Sequence, residues 1–280
     1  MGMIKLPEPR LTFTLAPDDV QQMPRSAGVY IFRGERTMPL YIGKSIDIHH
    51  RVQTHLRDDD KSRMIAQARY VDVIETAGDI GAQLLEARLI KLHHPLFNIR
   101  LRRSKKLLSL RLRQQPDGIA TDIITGSDEQ AGHVEGLFGL FRSKHAAEAK
   151  LRELAEEHHL CHGLLGLEKL GKRGCFGVQV KTCRGACIGE EPRADHDARL
   201  KAAVTELKVH IWPYPGAVDL VEQKGDWVQR HRIEQWRYLG TWCSRKQAFE
   251  PSLERSFDLD SYKILVKPII MQSLPVEPVG

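Results

Sequence analysis

Two short words constrain this chain more than anything else in it: Gly28-Val29-Tyr30 and Tyr41-Ile42-Gly43, with ten residues between the two tyrosines. β-Branched and aromatic residues suit a pleated, half-buried surface, so residues 28–33 read as a strand after Pro24-Arg25-Ser26-Ala27. Gly34 to Pro39 is a turn-rich break. Leu40-Tyr41-Ile42-Gly43 reads as a second strand, close enough to pair with the first as a hairpin. Tyr30 and Tyr41 then sit at like positions on adjacent strands and turn their hydroxyls to one pocket.

The pattern continues downstream. Asp47 is placed to cap a helix running to about Leu56, with Ile48, Val52 and Leu56 on its apolar face and Arg51 one step off it. Tyr70 to Ile74 alternates as a third strand. Asp79 is placed to cap a long helix from about Ile80 to His93, striped with Leu84, Leu85, Leu89, Ile90 and Leu92 and followed by Pro95. Residues 143–160 and 197–208 read as further helices. From Trp212 onward the texture shifts to short segments with Trp, Gly and Pro, which predicts a small β-rich tail.

Composition sets the class. With 41% hydrophobic and 28% charged residues over 280, the chain is long enough to bury a real core and ordinary for a globular protein. No apolar run approaches a membrane span, and the start has no apolar leader segment, so the expected compartment is the cytoplasm, with no membrane partner. The net charge of +6 favours a polyanionic partner such as nucleic acid. A basic stretch, Arg100 to Lys106, is a candidate for phosphate contacts, which position a protein on DNA and carry no sequence information.

Taken together, the two words, Lys44, Arg51 seven residues later, Glu86 on the long helix and Asn98 twelve residues beyond it resemble the GIY-YIG nuclease family over about residues 25–99, with Val29 in place of the usual isoleucine. The resemblance implies a metal-dependent DNA endonuclease with catalytic residues Tyr30, Tyr41, Lys44, Arg51, Glu86 and Asn98. Tyr41 would take a proton from the attacking water, with Tyr30 orienting it or sharing the role. A phenol titrates near 10, so Lys44, Arg51 and a nearby cation would be needed to favour the phenolate. Arg51 would stabilise charge on the phosphoryl oxygens, since a guanidinium matches phosphate geometry. Glu86 would be the single protein ligand of Mg2+ or Mn2+, plausible for a cation that keeps most of its waters. Asn98 would tie the end of the domain to the site. His49, His50, His55, His93 and His94 are assigned no ligand role. Taken singly, each of these residues has an ordinary reading as packing, salt bridge or solvated surface; it is their ordered coincidence that carries the assignment.

Four of the five cysteines, Cys161, Cys175, Cys183 and Cys187, cluster within 27 residues. In a cytosolic chain this suggests a metal site more than a disulfide frame, against the alternative of buried free thiols. Four thiolates suit Zn2+ or an iron–sulfur cluster, and the spacing alone does not choose. The run from Cys175 to Gly189 is similar to the cysteine region of bacterial UvrC, which implies a [4Fe-4S] cluster on these four residues, with Zn2+ as the alternative. Cys243 stands apart and is unassigned.

The UvrC resemblance spans about residues 20–205. The chain ends before the second nuclease and the helix–hairpin–helix units of UvrC would fit, and it shows no helical hairpin like the UvrB-binding segment. It therefore resembles a short UvrC homologue. The expected architecture is α+β: a small GIY-YIG domain at 20–100 with a three-stranded antiparallel sheet flanked by helices, a mixed, Cys-rich helical region at 101–205, and a small C-terminal domain at 206–280. The implied job is a single cut on the 3′ side of a lesion in damaged double-stranded DNA, within a UvrB–DNA complex loaded by UvrA, by a monomer belonging to the SOS response. A free-standing structure-specific GIY-YIG nuclease and a non-catalytic DNA- or partner-binding module are the rivals. The complete Tyr30, Tyr41, Arg51 and Glu86 set argues against the second. Trp212, Trp227, Trp236 and Trp242 make the tail a candidate for partner recognition, with a small buried core as the plainer reading.

Overall fold

A computed structural model describes residues 10–35, 39–98, 107–126, 136–253 and 256–279. The basic stretch Arg100–Lys106 lies outside them. The described residues fall into two compact units: those within Met1–Arg103 together with those within Pro213–Gly280, and those within Ser104–Trp212.

In chain order, the first segment carries β1 (Leu11–Thr14), α1 (Pro17–Gln21), β2 (Gly28–Arg33), β3 (Pro39–Ser45), α2 (Ile48–Arg57), α3 (Ser62–Ile65), β4 (Tyr70–Glu75) and α4 (Asp79–His93). The middle segment carries β5 (Leu107–Gln115), β6 (Gly118–Gly126), β7 (Leu137–Phe141), α5 (Lys144–Glu157), α6 (Phe176–Gln179) and α7 (Arg193–Val204). The last carries β8 (Val218–Lys224), β9 (Trp227–Glu234), β10 (Arg237–Cys243), β11 (Ala248–Pro251), α8 (Leu259–Ile270) and β12 (Val276–Pro278).

The N-terminal sheet is antiparallel with order β1-β4-β2-β3, so the three expected strands gain a fourth, β1, at one edge. β2 is an almost unbroken hydrophobic run because both of its faces are covered. Tyr30 and Phe32 pack with Ile48 and Val52 of α2 on one side. Val29 and Ile31 pack with Leu89 and Ile90 of α4 on the other. Asp72 of β4 is fully buried and accepts hydrogen bonds from Thr12 Oγ1 and Arg33 Nη2, both at 2.8 Å, which compensates its charge and joins β1, β2 and β4.

The C-terminal residues form a five-stranded antiparallel sheet, β11-β10-β9-β8-β12, and α8 packs against α4 within the same unit. β9 and β10 are joined by Gln235-Trp236, both at positive φ (51° and 62°), without the glycine or asparagine such a turn favours. Two residues there cost about 2–4 kcal/mol. Trp236 is fully buried against Tyr262 at 5.1 Å, and burying an indole returns about 4–6 kcal/mol. Trp227 is also buried and Trp242 half-buried, so packing accounts for the tail's tryptophans at these positions.

The middle unit is a three-stranded sheet, β6-β5-β7, whose Leu110 and Ile119 pack with Leu151 and Leu154 of α5 and Leu200 of α7. The cysteine segment runs between α5 and α7.

Candidate nuclease site and cysteine centre

Tyr30 and Tyr41 share a face of the sheet but are diagonal, not opposite: Tyr30 pairs with Gly43 and Phe32 with Tyr41. Their rings lie 6.2 Å apart. Asp47 caps α2 as expected, its carboxylate accepting from His50 N at 2.9 Å. That places Arg51 in the first turn and His55 one turn on, along the same face.

His55 is the residue that sequence reasoning passed over. It is buried, and its Nε2 lies 2.7 Å from the Tyr30 hydroxyl. Burial first, then the charges of Arg51 and Lys61, lower its pKa to about 4, so the ring is neutral and shares one hydrogen bond with the Tyr30 hydroxyl. The available signal was its spacing, four residues after Arg51. Burial also holds both phenols above the ordinary tyrosine range; for Tyr30 the neighbouring Tyr41 adds to this, and Arg51 only partly offsets it. Both are therefore neutral phenols at neutral pH.

The free edge of β3 explains Glu86 and Asn98. In an edge strand, every second residue points its backbone groups outward. Here Leu40 O accepts from Phe97 N, Ile42 N and O are taken by Asn98 Oδ1 (2.9 Å) and Nδ2 (2.8 Å), and Lys44 N donates to Glu86 Oε1 at 3.0 Å. Lys44 Nζ turns to Asp79 in the first turn of α4, at 2.8 Å. Among the described residues the half-buried Glu86 carboxylate makes no ion pair, and burial raises its pKa although the Lys44 backbone N–H and charge oppose this. A half-buried carboxylate with one oxygen on a backbone N–H, without an ion pair and close enough to act on Tyr41, is chemically suited to a hard divalent cation.

Asp79 does not cap α4. Gly78 occupies the N-cap, with no side chain of its own to offer. The carboxylate of Glu222 from β8 takes the N–H groups of Ile80 (2.8 Å) and Gly81 (2.7 Å) instead.

In the middle unit, the sulfurs of Cys161 and Cys175 are 3.4 Å apart, as are those of Cys175 and Cys183. Cys161, Cys175 and Cys187 lie within 4.8 Å of one another, and Cys175 N donates to Cys187 Sγ at 3.4 Å. Gly174, at φ 81°, makes the turn that seats Cys175. α7 anchors the segment. His196 Nε2 accepts from Cys161 N at 3.2 Å, Arg199 Nε donates to His158 O at 2.9 Å, and the same guanidinium is paired with Glu191. Burial pushes the Cys161 thiol up, and Cys183 up to about 11; sulfurs this crowded need a cation before all four can be thiolates. Cys243 is buried in the other unit, accepting a hydrogen bond from Trp227 Nε1 at 3.3 Å.

Comparison with known proteins gives these features a class. Residues 26–99 match the UvrC-like GIY-YIG domain, 107–206 the UvrC/Cho excinuclease middle domain, and 217–280 the excinuclease Cho C-terminal domain. The chain is an endonuclease of the GIY-YIG class. Excinuclease cho of Escherichia coli O6:H1 is 44% identical over 280 residues, covering 95% of this chain and 93% of that protein. UvrABC system protein C of Methanosarcina acetivorans is 31% identical over 198 residues, 69% of this chain and 36% of that one. A solved GIY-YIG N-terminal endonuclease domain of UvrC from Thermotoga maritima, bound to magnesium, aligns over 29% of this chain and 93% of its own, at 30% identity and a TM-score of 0.28. The chain belongs to the excinuclease Cho family, UvrC homologues with a GIY-YIG nuclease domain in nucleotide excision repair.

Proposed function

We propose that this chain makes the 3′ incision beside a lesion in damaged double-stranded DNA, in a UvrB–DNA complex loaded by UvrA, acting as a monomer in the cytoplasm. The observation that carries the reading is the gathering of Tyr30, Tyr41, Arg51 and Glu86 at one end of a GIY-YIG sheet, in a chain matching excinuclease Cho over nearly its whole length. No helix among the described residues is long and apolar enough to cross a membrane. Division of labour follows the three segments: 20–100 cuts, 101–205 holds the cysteine centre, and 206–280 supports the first.

Glu86 is the protein ligand of Mg2+ or Mn2+, which when bound supplies Lewis-acid stabilisation of the leaving oxygen. Arg51, exposed at the mouth of the site, receives the scissile phosphate. Neutral phenols are poor bases, so Lys44, Arg51 and the bound cation would have to favour the Tyr41 phenolate. Tyr41 takes the proton of the attacking water while Tyr30, its hydroxyl against His55 Nε2, orients that water; as the new oxygen–phosphorus bond forms, the bond from phosphorus to the leaving oxygen breaks and that oxygen takes a proton from solvent. Lys44 and Asn98 hold β3 and α4 in register around this pair. The four cysteines carry a [4Fe-4S] cluster, with Zn2+ as the alternative; metal content and visible absorption of the purified chain separate the two.

The test is incision of an end-labelled duplex with one bulky lesion, in Mg2+, with and without UvrA and UvrB, with Glu86→Ala as control. One 3′ cut that requires UvrB and Glu86 supports the reading. Cutting without UvrB assigns a free-standing nuclease. No cutting of a competent UvrB–lesion complex assigns a binding module.

A further inference from the structure

The helix that carries Glu86 is held at both ends by residues more than 130 positions later in the chain. At its start, Glu222 takes two consecutive backbone N–H groups with its two oxygens, and Gln229 Oε1 takes the N–H of Ala77 at 2.8 Å. Glu222 and Gln229 are cross-strand partners on β8 and β9. Glu222 is buried, and His231 Nε2 lies 3.0 Å from its carboxylate, with His231 Nδ1 held in turn by Thr241 Oγ1 at 2.8 Å. At its end, Lys91 Nζ lies 2.5 Å from Asp258, which also caps α8. A carboxylate that engages two successive N–H groups fixes how a helix is rotated about its axis as well as where it begins. Rotation of α4 decides whether Glu86 reaches Lys44 N and whether Asp79 reaches Lys44 Nζ.

We propose that Glu222 is a positioning residue for the nuclease site: through it the C-terminal sheet sets the rotation and register of α4, and hence where the Glu86 carboxylate stands. The inference rests on Glu86 being the cation ligand. It also assigns the C-terminal segment a role, as a brace for the catalytic helix.

Gly78 gives an independent handle. Its φ of −160° is extended backbone that any residue adopts, yet a β-carbon there would lie 2.2 Å from Glu222 Oε1. Alanine at 78 therefore evicts the Glu222 carboxylate without straining the chain.

The test uses the full chain and Mn2+ as probe, with binding read by electron paramagnetic resonance and folding by circular dichroism at the assay temperature. Glu222→Ala is expected to weaken Mn2+ binding about tenfold, the usual loss when a group that orients a metal ligand is removed, with Glu222→Gln intermediate. Gly78→Ala should reproduce the loss in the wild-type background and add nothing to Glu222→Ala, because the collision it causes has then gone. Wild-type Mn2+ affinity in a folded Glu222→Ala chain overturns the proposal, as does full additivity of the two changes. Glu86→Ala separates the premises. If it keeps wild-type affinity, the assignment of Glu86 fails and this inference with it; if it loses Mn2+ while Glu222→Ala does not, only this inference fails.

Discussion

Gly43 stands directly across from Tyr30, and a β-carbon on residue 43 would sit 2.3 Å from the Tyr30 hydroxyl oxygen and 2.9 Å from Tyr41 Cε1. The glycine of the second word is thus the space through which the phenol of the first reaches the site. Gly43→Ala is expected to push the Tyr30 ring aside and slow incision about a hundredfold, as misplacement of a reacting group by an ångström does. Incision rates beside circular-dichroism melts check this; a well-folded Gly43→Ala chain cutting at the wild-type rate would refute the role given to that space.

Asn98 completes the edge of β3 as a missing strand would, donating to Ile42 O and accepting from Ile42 N. Asn98→Ala leaves both groups without this partner and should cost about 1–3 kcal/mol in urea unfolding. Asn98→Asp should do no better, because an added oxygen would face the Ile42 carbonyl. Recovery of stability in the aspartate variant would show that shape rather than the amide pattern matters.

The N-terminal elements were legible because each carried its own local signal. The runs at 28–33 and 70–74 are dense in β-branched and aromatic residues, and Asp47 is a self-contained cap for α2. β1 was not legible: Leu11-Thr12-Phe13-Thr14 is short and mostly exposed, and it becomes a strand by pairing with β4 some sixty residues away. The start of α4 misled for the same reason. Asp79 looks like a cap in sequence, but the capping carboxylate comes from Glu222, a long-range contact that leaves no mark in the residues around the helix. His55 reads as an ordinary helix-face histidine until Tyr30 is folded against it.

The cysteine centre predicts a sharp difference between two cysteines. Cys175 touches the sulfurs of Cys161 and Cys183 and donates its backbone N–H to Cys187, whereas Cys243 packs under Trp227 in the other unit. Cys175→Ser should abolish metal content and destabilise the middle unit, because binding to a site absent from the unfolded chain stabilises the fold. Cys243→Ser should keep the full metal content. Elemental analysis of both purified variants decides it, and metal retained in Cys175→Ser would remove this residue from the ligand set.

His55 makes the pH dependence of stability testable. Its pKa falls from the ordinary 6.5 to about 4 in the folded chain, chiefly through burial. Between those values the unfolded chain binds a proton that the folded chain refuses, so stability is fully present above about 6.5 and drains away as pH falls towards 4. His93, His196 and His210 are also lowered, so the slope of the wild-type curve alone does not isolate His55. The difference between wild type and His55→Gln does. At pH 7 the variant should melt lower, having lost a buried imidazole on Tyr30. As the pH falls from 6.5 the wild type should lose stability faster than the variant, so that the two melting temperatures converge by about pH 4–5. A gap that stays constant from pH 7 to 4 would mean that folding does not lower the His55 pKa, and that burial does not hold the ring neutral against Tyr30.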